Sequence, residues 1–459
     1  MILKQNTSSE TSRLTFKMIF KSWLPLVASW LLMSIELPAI NAIMARLTNP
    51  QVNLAAYGGV VFPIALTIES PVIMLLAAST ALSRDWYAYQ RLKKVTLWMG
   101  GILMALHVVV ALTPIYDFIV NVLLGAPAEV VEPARLGLLA LSPWTLGIAY
   151  RRFQQGAMIR FNHSHMVGET TLVRLVTVSI ILSVGLLTRR IPGTILAGLA
   201  QGLGVSSEAI YAGLRIKKIL PDIKQAPPSE KALTLQYFIS FYFPLALTST
   251  LWLLWQPLIS ASISRMPQPL ESLAVWSVVT GLLFVFRSPG VAYNEAVVAL
   301  LDKPRAFPAL RKFAFLIALT TLVISLLIAL TPFSDYWFTT VANLSDSLAQ
   351  TATKALSIGV PLTFITMFIS FYQGIIVKLE KTGAVAEAVV AFLFVLIAIL
   401  IIGVVRGKYV GVYVASLAFT AAHLSQALWL LLRSRAARRY LAKKPLIKTA
   451  NQTRRDSNF

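Results

Sequence analysis

The chain has 459 residues, 57% of them hydrophobic and 13% charged, with no cysteine and a formal net charge of +22. A mean hydropathy of +0.71 and apolar runs of about 20 residues or more exclude a soluble domain and place the chain in a bilayer. Runs such as VVAFLFVLIAILIIGVV (389–405) are apolar on every face, so the spans are helices rather than alternating barrel strands. The lack of cysteine excludes a disulfide framework and a thiolate metal site.

In chain order, residues 1–18 carry Lys4, Arg13 and Lys17 without a short apolar core and cleavage site, so they read as a cytoplasmic N-terminus and the first span is expected to direct insertion. Spans are predicted near 19–46, 53–83, 96–121, 133–158, 167–187 and 193–216, then 235–264, 270–301, 312–336, 348–377, 384–404 and 409–433. Proline in several of them predicts tilted or kinked helices. PDIKQAPPSEK (221–231) is the one Pro-rich, charged break, which divides the chain into a first bundle (19–219), a cytoplasmic linker (220–234), a second bundle (235–433) and a basic tail (434–459).

Lysine and arginine sit mainly between spans: Arg84, Arg91, Lys93 and Lys94; Lys217, Lys218, Lys224 and Lys231; Lys303, Arg305, Arg311 and Lys312; and the tail from Arg433 to Lys444. The alternate loops 115–132 and 333–350 contain none. That asymmetry puts both termini in the cytoplasm, in a plasma (inner) membrane, and accounts for the charge by topology and anionic lipid rather than nucleic acid.

At an offset of 218 the two bundles repeat. Ser70-Pro71 falls on Ser288-Pro289, ALTP (111–114) on ALTP (329–332), Gln155-Gly156 on Gln373-Gly374, Glu169 on Glu387 and Arg215 on Arg433. Upstream the register changes to 219, matching Pro25, Pro38 and Arg46 to Pro244, Pro257 and Arg265. Six spans per half make the repeat parallel, related by a pseudo-two-fold axis along the membrane normal, which suits two bundles rocking about a central cleft.

Two six-span halves of this length resemble the multidrug/oligosaccharidyl-lipid/polysaccharide (MOP) flippase superfamily, with its multidrug and toxic compound extrusion (MATE) transporters. FPLALTSTLWLLWQPLISASISR (243–265), YNEAVVALLDKPRAFPALRKF (293–313) and GKYVGVYVASLAFTAAHLSQALWLLLRSR (407–435) are most similar to the progressive ankylosis protein family within it. The resemblance implies an all-α polytopic, MATE-like fold and release of organic or phosphate-bearing anions of the ATP, citrate and pyrophosphate class.

Ionisable residues inside a membrane cost about 2.5–3.5 kcal/mol each and normally face a bundle interior or wet cavity. Glu69 and Arg287 lie at equivalent positions with opposite charge. A symmetric cleft is expected to bring them together as a charge pair or gate, the plainer alternative being a permanent pair that locks the halves in register. Pro38, Pro71, Pro257 and Pro289 are read as kinks or hinges. Glu36, aligned with Trp255, lies beside Asn41 on the kinked first span and is a candidate proton or cation site, as is Glu295 within the polar group Tyr293-Asn294-Glu295; Asn41, Tyr293, Asn294 and Glu295 are also candidates for substrate binding or gating. Arg151, in Tyr150-Arg151-Arg152, is a candidate anion contact, although a cytoplasmic anchor is the commoner role. Arg46 and Arg265 are expected to snorkel to headgroups, and His163 and His165 have no partners for a metal.

The leading expectation is therefore a monomeric secondary transporter, without cofactor or enzymatic activity, that exports an anionic solute with a coupling ion. A flippase for a lipid-linked sugar or pyrophosphate carrier and a MATE-type exporter of cationic drugs are the alternatives. An intramembrane enzyme would need a dense polar cluster, for example on a long loop, and no such loop is present.

Overall fold

The computed structural model describes residues 14–229, 233–303, 306–379 and 383–443; Lys4, Arg13, Lys231, Arg305 and Lys444 fall outside them. Every regular element among the described residues is helical. In the first half the long ones are α1 (Phe16–Met44), α2 (Pro50–Leu82), α3 (Trp86–Leu112), α4 (Ala128–Leu141 and Pro143–Arg160), α5 (His165–Thr188) and α6 (Gly193–Arg215). The second half has α7 (Leu235–Ile263), α8 (Pro269–Leu300), α9 (Ala306–Leu330), α10 (Asp346–Lys378), α11 (Gly383–Arg406) and α12 (Gly411–Arg433).

Ten of these are long and apolar enough to cross a membrane. The other two, α4 and α6, carry Arg135, Arg151, Arg152 and Glu208, and it is this charge that lowers their hydropathy. Two predicted boundaries move. Spans three and nine begin near Trp86 and Ala306 rather than at 96 and 312, so Arg91, Lys93, Lys94, Arg311 and Lys312 stand on helices and not in loops. Asp85 starts α3 by accepting the Ala88 N–H at 2.8 Å, an N-cap that composition around the basic residues conceals.

The two Ser-Pro sites do not behave alike. Around Pro71, α2 breaks into a 3-10 turn (Ser70–Val72) before resuming at Leu75, whereas α8 runs as one 32-residue helix through Pro289. A duplicated interruption is thus not found. The change of repeat register also has a physical location. The interval from Arg46 to Ser70 is one residue longer than that from Arg265 to Ser288, and within it α2 holds the π turn Tyr57–Val61, the way a helix absorbs one extra residue.

The halves exchange their first helices. The first turns of α1 bury Ile19, Trp23 and Val27 in a cluster with Tyr293, Phe313 and Phe371 of the second half, and the Trp23 indole donates to the Pro289 carbonyl at 3.0 Å. In the opposite direction α7 packs on the broken part of α2: the Tyr242 hydroxyl donates to the Pro71 carbonyl and that of Ser249 to the Ser70 carbonyl at 2.8 Å.

At the end of the molecule away from the termini the exchange is repeated by arginine. Arg46 donates to the carbonyls of Thr340 and Val341 at 2.7 and 2.9 Å. Arg265 donates to those of Val122, Leu123 and Leu124 at 2.8, 3.0 and 3.0 Å. Each guanidinium also bonds one turn back on its own helix, to Ala42 or Ala261. The expectation that these arginines snorkel to headgroups is therefore corrected: π turns at Phe118–Leu124 and Trp337–Val341 end with free carbonyls, and the arginines take them.

Candidate functional site

A cavity of about 490 Å³ opens between the halves, within the range of small-molecule sites. The first half contributes Glu36 of α1, Arg174 of α5 and Gln201 of α6; the second contributes Arg287 of α8 and His423 of α12, and aromatic rings from both complete the wall. Its opposite walls differ in chemistry because equivalent positions hold different residues. Glu36, Arg174 and Gln201 correspond to Trp255, Phe392 and Phe419.

Behind the first-half wall lies a buried chain of charges. Glu36 pairs with Arg174 at 3.0 Å, and Glu208 pairs with Arg151 at 3.1 Å and with Arg174 at 3.7 Å. Gln155 donates its amide to Glu208 at 3.0 Å and to Thr170 at 3.0 Å. Arg152 and Glu69 add one ionisable group of each kind nearby, giving three guanidinium groups and three carboxyl groups. Glu36, Glu208, Arg151 and Arg174 can be buried because each finds its counter-charge inside the bundle.

The second-half wall is built differently. Arg287 donates through Nε to the Thr366 hydroxyl at 2.8 Å and contacts His423 Nε2 through Nη2 at 2.8 Å. Its guanidinium lies over the Phe419 ring at 5.4 Å, a favourable cation–π placement. Among the described residues no carboxylate lies within ion-pair distance of it, and Nη1 has no hydrogen-bond partner. The ring of His423 is wedged between Phe392 and Phe419, with centroids at 4.8 and 4.3 Å. Its Nδ1 meets the Phe419 carbonyl at 2.9 Å. A carbonyl only accepts, so Nδ1 carries the hydrogen, and Nε2 is left to accept from Arg287.

Of the residues singled out by sequence, Arg287 and Glu36 line the cavity. Glu69 does not: it is buried beside the Arg151 and Arg152 charges, one of its oxygens has no hydrogen-bond partner, and it forms no pair with Arg287. The reason is that Glu69 lies where α2 breaks inside the first-half charge cluster, while Arg287 projects from an unbroken α8. Glu36 is not a lone carboxylate, since α5 supplies Arg174. Arg151 is consumed by Glu208 and does not reach the cavity wall.

Tyr293 is core, fully buried between Phe313 and Phe371, with its hydroxyl donated to the Leu310 carbonyl at 2.7 Å. Asn294 is half-buried outside the cavity. Glu295 is exposed and accepts from the Trp30 indole at 3.4 Å. Asn41 ties α1 to α8 through both ends of its amide, at 3.0 and 3.1 Å to Ser277; beside it Gly58 lets α2 approach, for a Cβ there would lie 2.3 Å from that of Ser277. Pro38 packs near Gly281 on the same seam, and Pro257 lies in the helical segment Trp255–Ile263 that resumes after α7 breaks at Leu254.

Arg174, Glu208, Thr366 and His423 were not foreseen. Each is a polar or ionisable residue inside a predicted span, so the rule applied to Glu69 and Arg287 reaches all but the threonine when it is carried to every span.

Neither family models nor curated protein sequences match the chain, but solved structures do. It is similar to an inward-facing multidrug resistance MATE transporter of the MOP superfamily (TM-score 0.71, 14% identity, 90% of this chain and 96% of that one). The lipid II flippase MurJ in an inward closed conformation is also similar (TM-score 0.67, 16% identity, 89% and 87%). A third is a MOP-superfamily transporter from Pyrococcus furiosus, described for the reversed polarity of its binding pocket (TM-score 0.61, 16% identity, 96% and 100%). The chain is an all-α polytopic membrane protein with the MATE-like fold.

Proposed function

We propose that the chain is a secondary transporter of an organic or phosphate-bearing anion, working by alternate exposure of the central cavity. One observation carries the reading: among the described residues, Arg287 lines the cavity without a carboxylate partner, while the only carboxylate on the cavity wall, Glu36, is already neutralised by Arg174. An unpaired guanidinium at membrane depth is stabilised by a ligand of opposite charge, and planar donors suit carboxylate or phosphate oxygens. A cation exporter would need the reverse, a free carboxylate. The aromatic wall favours a cargo with an apolar or ring-bearing part, and a cavity of about 490 Å³ suits a compact solute better than a lipid-linked oligosaccharide head. The reading places both termini in the cytoplasm of the plasma (inner) membrane and takes the protein to act as a monomer.

Reconstituted in proteoliposomes, the protein is expected to move ATP, citrate or pyrophosphate and to ignore a cationic dye, with Arg287→Gln abolishing the flux. Dye transport without anion transport would falsify the assignment.

A further inference from the structure

We propose that Arg287 and His423 form one site that takes up an oxyanion together with a proton, the anion on the guanidinium and the proton on His423 Nε2. The proposal rests on the anion reading above and extends it to what drives binding.

In this structure His423 Nε2 is the acceptor for Arg287, and Nδ1 is fixed as a donor by the Phe419 carbonyl. The ring is therefore neutral and of one tautomer. A proton added to Nε2 alone would remove that acceptor and set two cations about 3 Å apart, the present nitrogen separation being 2.8 Å. An oxyanion on the free Nη1 face changes the balance, because one oxygen can accept from the guanidinium and from a protonated Nε2 together. Each ligand then removes the obstacle to the other, which is positive linkage and is reciprocal.

Among the described residues nothing else nearby can answer the charge. Trp252 and Trp255 of α7, Phe392 of α11 and Thr366 of α10 surround the pair without a titratable group among them, and the charged group in contact with the ring is Arg287. Across the cavity Glu36 and Arg174 neutralise one another. The corresponding first-half positions are Glu69, in place of Arg287, and Val205, in place of His423, so the device exists once.

The test uses the purified full chain and 2-naphthalenesulfonate, whose single charge does not change where histidine titrates, between about pH 5 and 8. Binding is read by tryptophan fluorescence and proton uptake by calorimetry in buffers of different ionisation enthalpy. Affinity is expected to rise at least tenfold from about pH 8 to about pH 5.5, with the proton uptake per anion matching the slope of that rise, about tenfold per pH unit for each proton. His423→Gln, which keeps an acceptor for Arg287 and cannot take a proton, is expected to bind with little pH dependence and no proton uptake. Binding by the parent that is independent of pH, yet lost in Arg287→Gln, overturns the proton linkage and leaves the anion site standing. No binding at either pH, or unchanged binding in Arg287→Gln, overturns both.

Discussion

Trp23 and Tyr242 occupy equivalent places in the two halves and make the same bond in opposite directions, each donating its side chain to the carbonyl of the Ser-Pro proline on the second helix of the other half. The Ser-Pro sites are thus docking points for the partner half's first helix. Removing one donor while leaving the ring, as in Tyr242→Phe, should lower stability by about 1 kcal/mol. Trp23→Ala removes a buried indole as well and should cost about 3–5 kcal/mol. Unfolding midpoints in detergent would rank them, and equal midpoints would show that the exchange contributes nothing.

Arg46 and Arg265 clasp the end of the cleft remote from the termini. Replacing both by alanine should open that end. Because the chain has no native cysteine, a single Ser277→Cys, at a buried position on the cavity wall, reports unambiguously on access to a membrane-impermeant maleimide. Labelling is expected to rise about tenfold in the double variant, equivalent to about 1.4 kcal/mol, and about threefold in either single variant.

Within the first-half charge cluster Glu208 pairs with both Arg151 and Arg174, so Glu208→Gln strands Arg151 and leaves Arg174 with Glu36 alone. A loss of about 3–5 kcal/mol follows from breaking such a buried set, and monodisperse yield after solubilisation should fall sharply. Glu36→Gln strands Arg174 only in part, since Glu208 remains, and the fall should be smaller. The reverse order would mean that the cavity-facing pair dominates stability.

Exchange of Glu69 and Arg287 is a sharp test of the geometry. If they formed a gate, Glu69→Arg with Arg287→Glu would restore transport. The structure instead places Glu69 beside Arg151 and Arg152, where a further guanidinium is repelled. The double variant is expected to be no better than Arg287→Glu alone, as measured by flux in proteoliposomes.

Asp85, in the loop before α3, binds the segment joining the halves: its second oxygen accepts from the Ser229 N–H at 2.8 Å and hydroxyl at 2.6 Å. Burial works against its charge, but hydrogen bonds from Ala88, Ser229 and Tyr87 outweigh it and hold the carboxyl below the ordinary aspartate range. A depressed folded value means the stabilisation is full above the unfolded value of about 4 and is lost as pH falls through the folded one. Amide exchange at Ser229, corrected for intrinsic rate, should stay slow from about pH 8 to about pH 5 and speed up in Asp85→Asn at every pH.

Span number and the parallel repeat were legible because hydropathy and matched prolines are one-dimensional signals. The ion pairs Glu169–Arg215 at 2.6 Å and Glu387–Arg433 at 2.8 Å join residues that the repeat had already aligned, so their pairing was close to the surface of the sequence. The cavity was less legible. Which face of α8 Arg287 occupies depends on whether a Ser-Pro site breaks its helix, and two identical dipeptides gave two outcomes because the first lies beside a one-residue expansion and a charge cluster. Glu36 reads as solitary until α5 is folded beside it, 138 positions away in sequence.

The exchange of first helices also bears on how the protein is made. Trp23 bonds a carbonyl 266 residues further along the chain, and the aromatic cluster that receives Ile19 and Val27 extends to Phe371. α1, made long before the second-half helices it packs against, is therefore among the last spans to find its final neighbours. Until then its apolar flank has only lipid or an insertion factor to rest against, and the first half expressed alone would present that flank unclad.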